Sequence, residues 1–285
     1  MWWCLLGMAF AQSRTPDPFF ADDLGGGGAI RADPIAVGAS LTAPAVMALQ
    51  PNYTLIASGR LGTDRVRRYG AGAIDSQTGP VALGAVFIRE TANRDATTEE
   101  LPGWLLPDDD IQNPQENTII GGGLATSFAE RRFAVGAGMR YHRFSSRFSD
   151  PTDTYQAHAS IAGRVRENIF LSASAEDLLP VDQVFAPKAA LAARAASKEG
   201  SDLSVETIAD FDDGLSVSEV RAGGQLMLGI FVPIRAGYRH VLATSQDIVT
   251  AGIGVGTDEG IFNYGFSYDI DNNEQLHALS LRIFF

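Results

Sequence analysis

The chain has 285 residues, with 22 Lys and Arg against 34 Asp and Glu, a net charge of −12 and a pI near 4.7. That balance excludes a nucleic-acid partner, which would need a basic surface to neutralise phosphates. Past the first residues no apolar stretch reaches the roughly 18 residues that span a membrane as a helix. With 45% hydrophobic residues, 30 Gly and 16 Phe but a mean hydropathy of +0.01, the composition suits a sheet alternating between lipid and water.

The run from Met1 to Phe10 is apolar and ends at Ala9-Phe10-Ala11, a small-x-small pattern typical of secretory cleavage. Residues 1–11 therefore read as a signal peptide, although no basic residue precedes the apolar run, and Gln12 as the first mature residue. Cys4 is the one cysteine, so the mature chain has no disulfide framework, no thiol nucleophile and no thiolate metal site. No cofactor is expected.

Residues 12–52 differ in kind from the rest. Gly25-Gly26-Gly27-Gly28-Ala29-Ile30-Arg31-Ala32-Asp33-Pro34 lacks strand alternation, and Leu41 to Leu49 is a small-residue apolar stretch interrupted by Pro44. Such apolar content is poor for a solvated periplasmic tail and favours a plug folded into a lumen.

From residue 53 to 285 the period is two, the strand signature. Fourteen segments are expected, near 53–62, 66–75, 80–90, 118–129, 132–145, 154–165, 167–175, 187–197, 202–212, 217–230, 232–243, 247–255, 260–270 and 275–285. In the clearest, Phe262, Tyr264, Phe266 and Tyr268 alternate with Asn263, Gly265, Ser267 and Asp269. An even number of strands suits a single-chain barrel, and in lipid a bare sheet edge would cost several kcal/mol per unpaired backbone group. The expected fold is all-β, a transmembrane antiparallel up-and-down β-barrel of about 14 strands.

Connection lengths orient it. With Phe285 periplasmic, the long connections 91–117, 146–153 and 176–186 all fall on the extracellular side and the periplasmic turns are short, the usual asymmetry. Arg on the lipid face near the midplane costs roughly 2–4 kcal/mol. Arg140, Arg164, Arg221, Arg235, Arg239 and Arg282 should therefore line the lumen, with Glu206, Asp210, Glu219 and Asp269 in the same phase. Two readings follow: an anion-selective or carboxylate-binding path, or arginines paired with those acids in cross-strand networks that fill a polar interior.

The closing residues give the location. Leu279, Leu281, Ile283 and Phe285 share one face, while Ala278, Ser280, Arg282 and Phe284 share the other. This strand resembles the last strand of bacterial outer-membrane β-barrels, whose terminal Phe and alternating apolar residues are read by the barrel-assembly machinery. The resemblance implies an outer-membrane protein with a periplasmic C-terminus, in contact with lipid and with that machinery. The layout of residues 25–285 also resembles the fatty-acid-channel superfamily, the FadL-type channels and the PorV-like proteins of type IX secretion. The residues that carry this are Gly27-Gly28-Ala29, Asp33-Pro34, and Ala43-Pro44-Ala45 ahead of Pro51-Asn52-Tyr53. In the Asn-Pro-Ala-Gly motif of that superfamily, Ala43 replaces the Asn and Val46 the Gly.

That resemblance implies a passive channel for small hydrophobic or amphipathic solutes, with a small hydrophobic ligand as partner. The alternative is a non-transporting barrel that acts as a scaffold or secretion accessory, with a secretion partner. Trp104, Leu105 and Leu106 form an apolar cluster in the longest loop, placed to fold over the mouth or meet a partner. Asp108-Asp109-Asp110 with Glu116 lacks the spacing of a calcium loop and reads as a solvated acidic loop. His142 and His158 share a phase, with Ser160 beside them, but no nucleophile elbow occurs and no catalysis is expected.

Overall fold

A computed structural model describes residues 19–62, 66–92, 116–145, 151–179, 187–211 and 214–285. Fourteen strands form where the sequence alternates, and no strand end lies more than two residues from the expected position. In chain order they are β1 Tyr53–Gly62, β2 Val66–Asp75, β3 Val81–Ala92, β4 Glu116–Phe128, β5 Phe133–Ser145, β6 Thr152–Arg166 and β7 Ile169–Glu176. They continue as β8 Lys188–Ala196, β9 Asp202–Asp210, β10 Ser216–Leu228, β11 Val232–Val241, β12 Gln246–Gly256, β13 Gly260–Asp269 and β14 Glu274–Phe284.

Each strand pairs antiparallel with its neighbours in sequence, and β1 pairs with β14, so the sheet closes and leaves no edge unpaired. At the seam Thr54 lies opposite Phe284 and Gly62 opposite Leu276. The Phe285 amide donates to the Tyr53 carbonyl at 3.1 Å, and the two rings meet edge-on with centroids 5.2 Å apart.

Alternation sorts the two faces. Outward residues are apolar and exposed, among them Leu124, Ile161, Leu191, Leu203, Ile253 and Phe262. Leu279, Leu281, Ile283 and Phe285 belong to this outer surface. Inward positions carry Ser, Thr, Asn, Gly and most of the buried charge. A β-bulge between Val217 and Glu219 resets the phase of β10, so Val217 and Val220 both face outward while Glu219 and Arg221 are buried.

At the end that carries Phe285 the connections are short, the longest being 76–80 and 197–201; the long ones, 93–115 and 177–187, are at the opposite end. Glu176, expected as the first residue of a loop, is instead the last residue of β7 and is buried. The polar phase Ser172, Ser174, Glu176 simply runs one step further than its apolar counterpart suggested. The signal peptide expected over residues 1–11, the apolar cluster of Trp104, Leu105 and Leu106, and the acidic run Asp108-Asp109-Asp110 lie outside the described residues.

Candidate functional site

Residues 19–49 lie inside the barrel. They form a short helix, Ala21–Gly25, and two 3-10 helices, Val37–Leu41 and Pro44–Leu49, with Pro44 at the first position of the latter, where its missing N–H costs nothing. Nearly all of these residues are buried, and exposure begins only at Gln50. A segment this apolar and this short of regular hydrogen bonds needs a wall that accepts its shape, and the wall supplies two different seats.

Along β2 to β5 the seat is steric. Inward-facing glycines leave grooves for the 3-10 helices: Gly72 meets Val37, Gly84 meets Ser40 and Met47, Gly121 meets Leu41, Gly123 meets Pro44 and Gly136 meets Ala45. A Cβ on Gly136 would lie 2.6 Å from the Ala45 nitrogen, closer than any real contact. The adjoining strand β6 adds two polar contacts: the Ala45 amide donates to Ser160 Oγ at 2.9 Å, and His158 Nε2 lies 3.2 Å from the Ser40 carbonyl. Ser160 and His158 thus both hold the lumen segment, while His142, in the same phase, stacks on Phe144.

On the opposite wall the glycine run itself is seated. Gly25 packs on Gly252, Gly26 on Gly223, Gly27 on Gly237, and the Ala21 carbonyl on Gly265, so backbone touches backbone on four successive strands, β10 to β13. Gly27 and Gly28 have φ of +73° and +74°, a conformation open to glycine at no steric cost. A Cβ on Gly27 would lie 2.6 Å from the Ala222 carbonyl oxygen.

Between and below these seats runs a buried ionic network. Arg31 of the lumen segment donates through Nε to Glu176 Oε1 at 2.9 Å, and its two terminal nitrogens pair with Glu176 and Glu206. Its amide reaches Glu206 Oε2 at 3.2 Å, and Ser172 Oγ donates to its carbonyl at 2.5 Å. Arg140 bridges Glu176 and Asp177, each at 3.2 Å. Arg221 holds Glu219 at 2.5 Å, approaches Glu206 at 3.6 Å and donates to the Gly28 carbonyl at 3.1 Å; Arg239 also pairs with Glu219. Opposite charges therefore alternate from Asp177 through Arg140, Glu176, Arg31, Glu206, Arg221 and Glu219 to Arg239. Burying each ion alone would cost several kcal/mol, so only this mutual pairing makes the cluster tolerable.

Further pairs tie the segment down nearer the short-turn end. Arg282 pairs with Asp22, and Arg194 with Asp33 at 3.3 Å and Asp202 at 2.7 Å. Arg235 donates instead to neutral amide oxygens, Gln225 at 2.8 Å and Asn263 at 2.9 Å. Asp23 is buried, and its Oδ2 has no hydrogen-bond partner among the described residues. Burial first, then the neighbouring Asp22, push its carboxyl well above the ordinary carboxylate range, against the opposing pull of Arg282.

Among the described residues a cavity lies on each side of residues 21–28. The larger, about 240 Å³, opens toward the loop end over Leu24 and Gly27 and is walled by Arg60, Arg68, Arg239 and Ile248. The smaller, about 100 Å³, lies toward the short-turn end beneath Asp22, Asp23 and Gly26, with Arg235 and Ile261 in its wall.

Among the residues expected to line the lumen, Arg140, Glu219, Arg221, Arg235, Arg239 and Arg282 all meet partners in the interior. Asp269 is half-buried beside the larger cavity, where its carboxylate accepts the Asp271 and Asn272 amides. Arg164 is placed differently: it is half-exposed beside the bulge in β6, and its Nη2 donates to the Glu130 carbonyl in a short turn. Sequence reasoning missed Arg31, Glu176, Asp177, Asp22 and Asp33. Only the polar phase ending at Glu176 could have signalled one of them, since the segment holding Arg31 and the aspartates has no periodicity.

Comparison with solved structures finds the same architecture at low identity. The monoaromatic hydrocarbon channel CymD has a TM-score of 0.62 and 8% identity over 94% of this chain and 97% of that one. Outer membrane protein Omp33 of Acinetobacter baumannii has a TM-score of 0.51 and 10% identity over 84% of this chain and 100% of that one. No protein-family model and no curated protein matches the chain. The likeness establishes the class through the fold: a closed, fourteen-stranded barrel of the bacterial outer-membrane type.

Proposed function

We propose that this protein is a bacterial outer-membrane channel for small hydrophobic or amphipathic solutes, closed by residues 19–50 until that segment shifts. The observation that carries the reading is the pair of cavities that flank residues 21–28, a stretch joined to the wall by ion pairs and glycine contacts. The apolar outer belt supports insertion in lipid, and the short turns at the Phe285 end support a periplasmic C-terminus. The outward Leu279, Leu281, Ile283 and Phe285 suit recognition by the barrel-assembly machinery. The hydrocarbon channel with the same fold supports the solute class.

Liposomes holding the full-length protein should admit small aromatic and amphipathic solutes faster than empty liposomes. A variant that crowds the glycine seat, Gly223→Val, should admit them faster still; passage at the empty-liposome rate by both would sink the channel. The tight seating of the segment gives the scaffold alternative its own footing, and a stoichiometric partner recovered in mild detergent, without solute passage, would favour it.

A further inference from the structure

Arg31 is the only basic residue between positions 19 and 52, and it is received by a site that the wall builds without it. Glu176 is already held by Arg140 at 3.2 Å, and Glu206 is approached by Arg221 at 3.6 Å. Both carboxylates would therefore stay in place if the lumen segment withdrew. Among the described residues the ion pairs on the wall side of the cluster join four carboxylates, Glu176, Asp177, Glu206 and Glu219, to three guanidinium groups, Arg140, Arg221 and Arg239, while the adjoining Lys188 is balanced by Asp210. It is one positive charge short, and Arg31 supplies that charge.

The geometry also specifies which kind of cation fits. Arg31 engages its Nε and both terminal nitrogens, so the carboxylates from β7 and β9 grip two edges of one planar fork. An ammonium group, a point donor, cannot meet both acceptors from one plane in this way.

We propose that the pocket between Glu176 and Glu206 is a recognition site for the guanidinium or amidinium end of a small amphipathic solute, with Arg31 as its internal stand-in while the segment is seated. As a site on a solute's route it rests on the channel reading, whereas binding itself can be measured without transport. A solute that displaces Arg31 removes two of the ion pairs that keep the segment in place, those with Glu176 and Glu206, so occupancy of the site and opening of the lumen are coupled through the same two carboxylates.

The test uses n-propylguanidinium and its neutral isostere n-propylurea on the full-length protein. By calorimetry, Arg31→Ala should bind n-propylguanidinium at least about tenfold more tightly than the unsubstituted protein does, should not bind n-propylurea, and should lose the preference when Glu206→Gln is added. A folded Arg31→Ala that binds both compounds equally, or neither, overturns the proposal. Should Arg31→Ala not fold, liposomes decide: the unsubstituted protein should admit n-propylguanidinium several-fold faster than n-propylurea, and Glu206→Gln should remove the difference. Equal non-zero rates in the unsubstituted protein overturn the site. Selective binding by Arg31→Ala with no passage of any solute would keep the site and overturn the channel reading instead.

Discussion

Two of the walls that the lumen segment touches hold it by different physics. Against β2 to β5 it is held by shape: Val37, Leu41, Pro44, Ala45 and Met47 fill hollows that exist because glycine faces inward. Against β7 and β9 it is held by charge, through Arg31 with Glu176 and Glu206. A shape seat gains from burial and dispersion but tells nothing about what else could occupy it, since any apolar group of the right volume would do. A charge seat contributes little net stability when complete, yet it is costly to break and selective in what can replace it. The contrast separates a stationary anchor from the part of the interior suited to exchange.

The largest effect should come from cutting the charge seat on one side only. Arg31→Ala leaves Glu176 and Glu206 buried with less compensation and should destabilise the seated state by about 3–5 kcal/mol, measured by denaturant unfolding of the full-length barrel in detergent. Because the pair is 1% exposed or less, raising the salt concentration should leave that loss largely unchanged, which a surface pair would not do. Gly136→Val should cost about 1–3 kcal/mol by overpacking against Ala45, with no dependence on added guanidinium compounds. Rescue of this variant by n-propylguanidinium would erase the distinction between the two seats.

Ser172→Ala removes the hydroxyl that donates to the Arg31 carbonyl and should cost about 0.5–1.5 kcal/mol, sensed as faster proteolysis near residues 25–35. The smallest effect concerns pH. With its carboxyl raised by burial and by Asp22, Asp23 keeps a proton in the seated state that it would release from a freed segment above the ordinary value of 3.8. Its contribution to seating is complete below that value and is lost as pH rises through the raised one. Hydrogen exchange of residues 21–28 should therefore quicken with rising pH beyond the intrinsic base-catalysed trend. Asp23→Asn should flatten this excess, and an unchanged slope would count against the assignment.

The barrel was legible because each strand carries its own code. Phe262, Tyr264, Phe266 and Tyr268 must face one way and Asn263, Gly265 and Ser267 the other, whatever the rest of the chain does. The inward direction of Arg140, Arg221 and Arg239 followed from the same alternation. Their partners did not, because Glu176 and Glu206 meet Arg31 across sequence separations of 145 and 175 residues. No local pattern records such a meeting. The glycine contacts were hidden for a related reason: Gly223, Gly237, Gly252 and Gly265 look like gaps in four strands, and their purpose appears only when Ala21 to Gly27 lies against them.

The Tyr53–Phe285 seam joins closure of the wall to the fate of what it encloses. β1 and β14 meet across this seam, and the enclosed segment leads directly into β1. Val37 to Met47 meet β2 to β5, whereas Gly25 to Gly27 meet β10 to β12 and the Ala21 carbonyl meets β13, so the contacts of one segment draw on both halves of the sheet. Closure of the sheet at Phe285 and Tyr53 and completion of the interior are therefore linked: the segment can meet all of its partners at once only inside the closed cylinder.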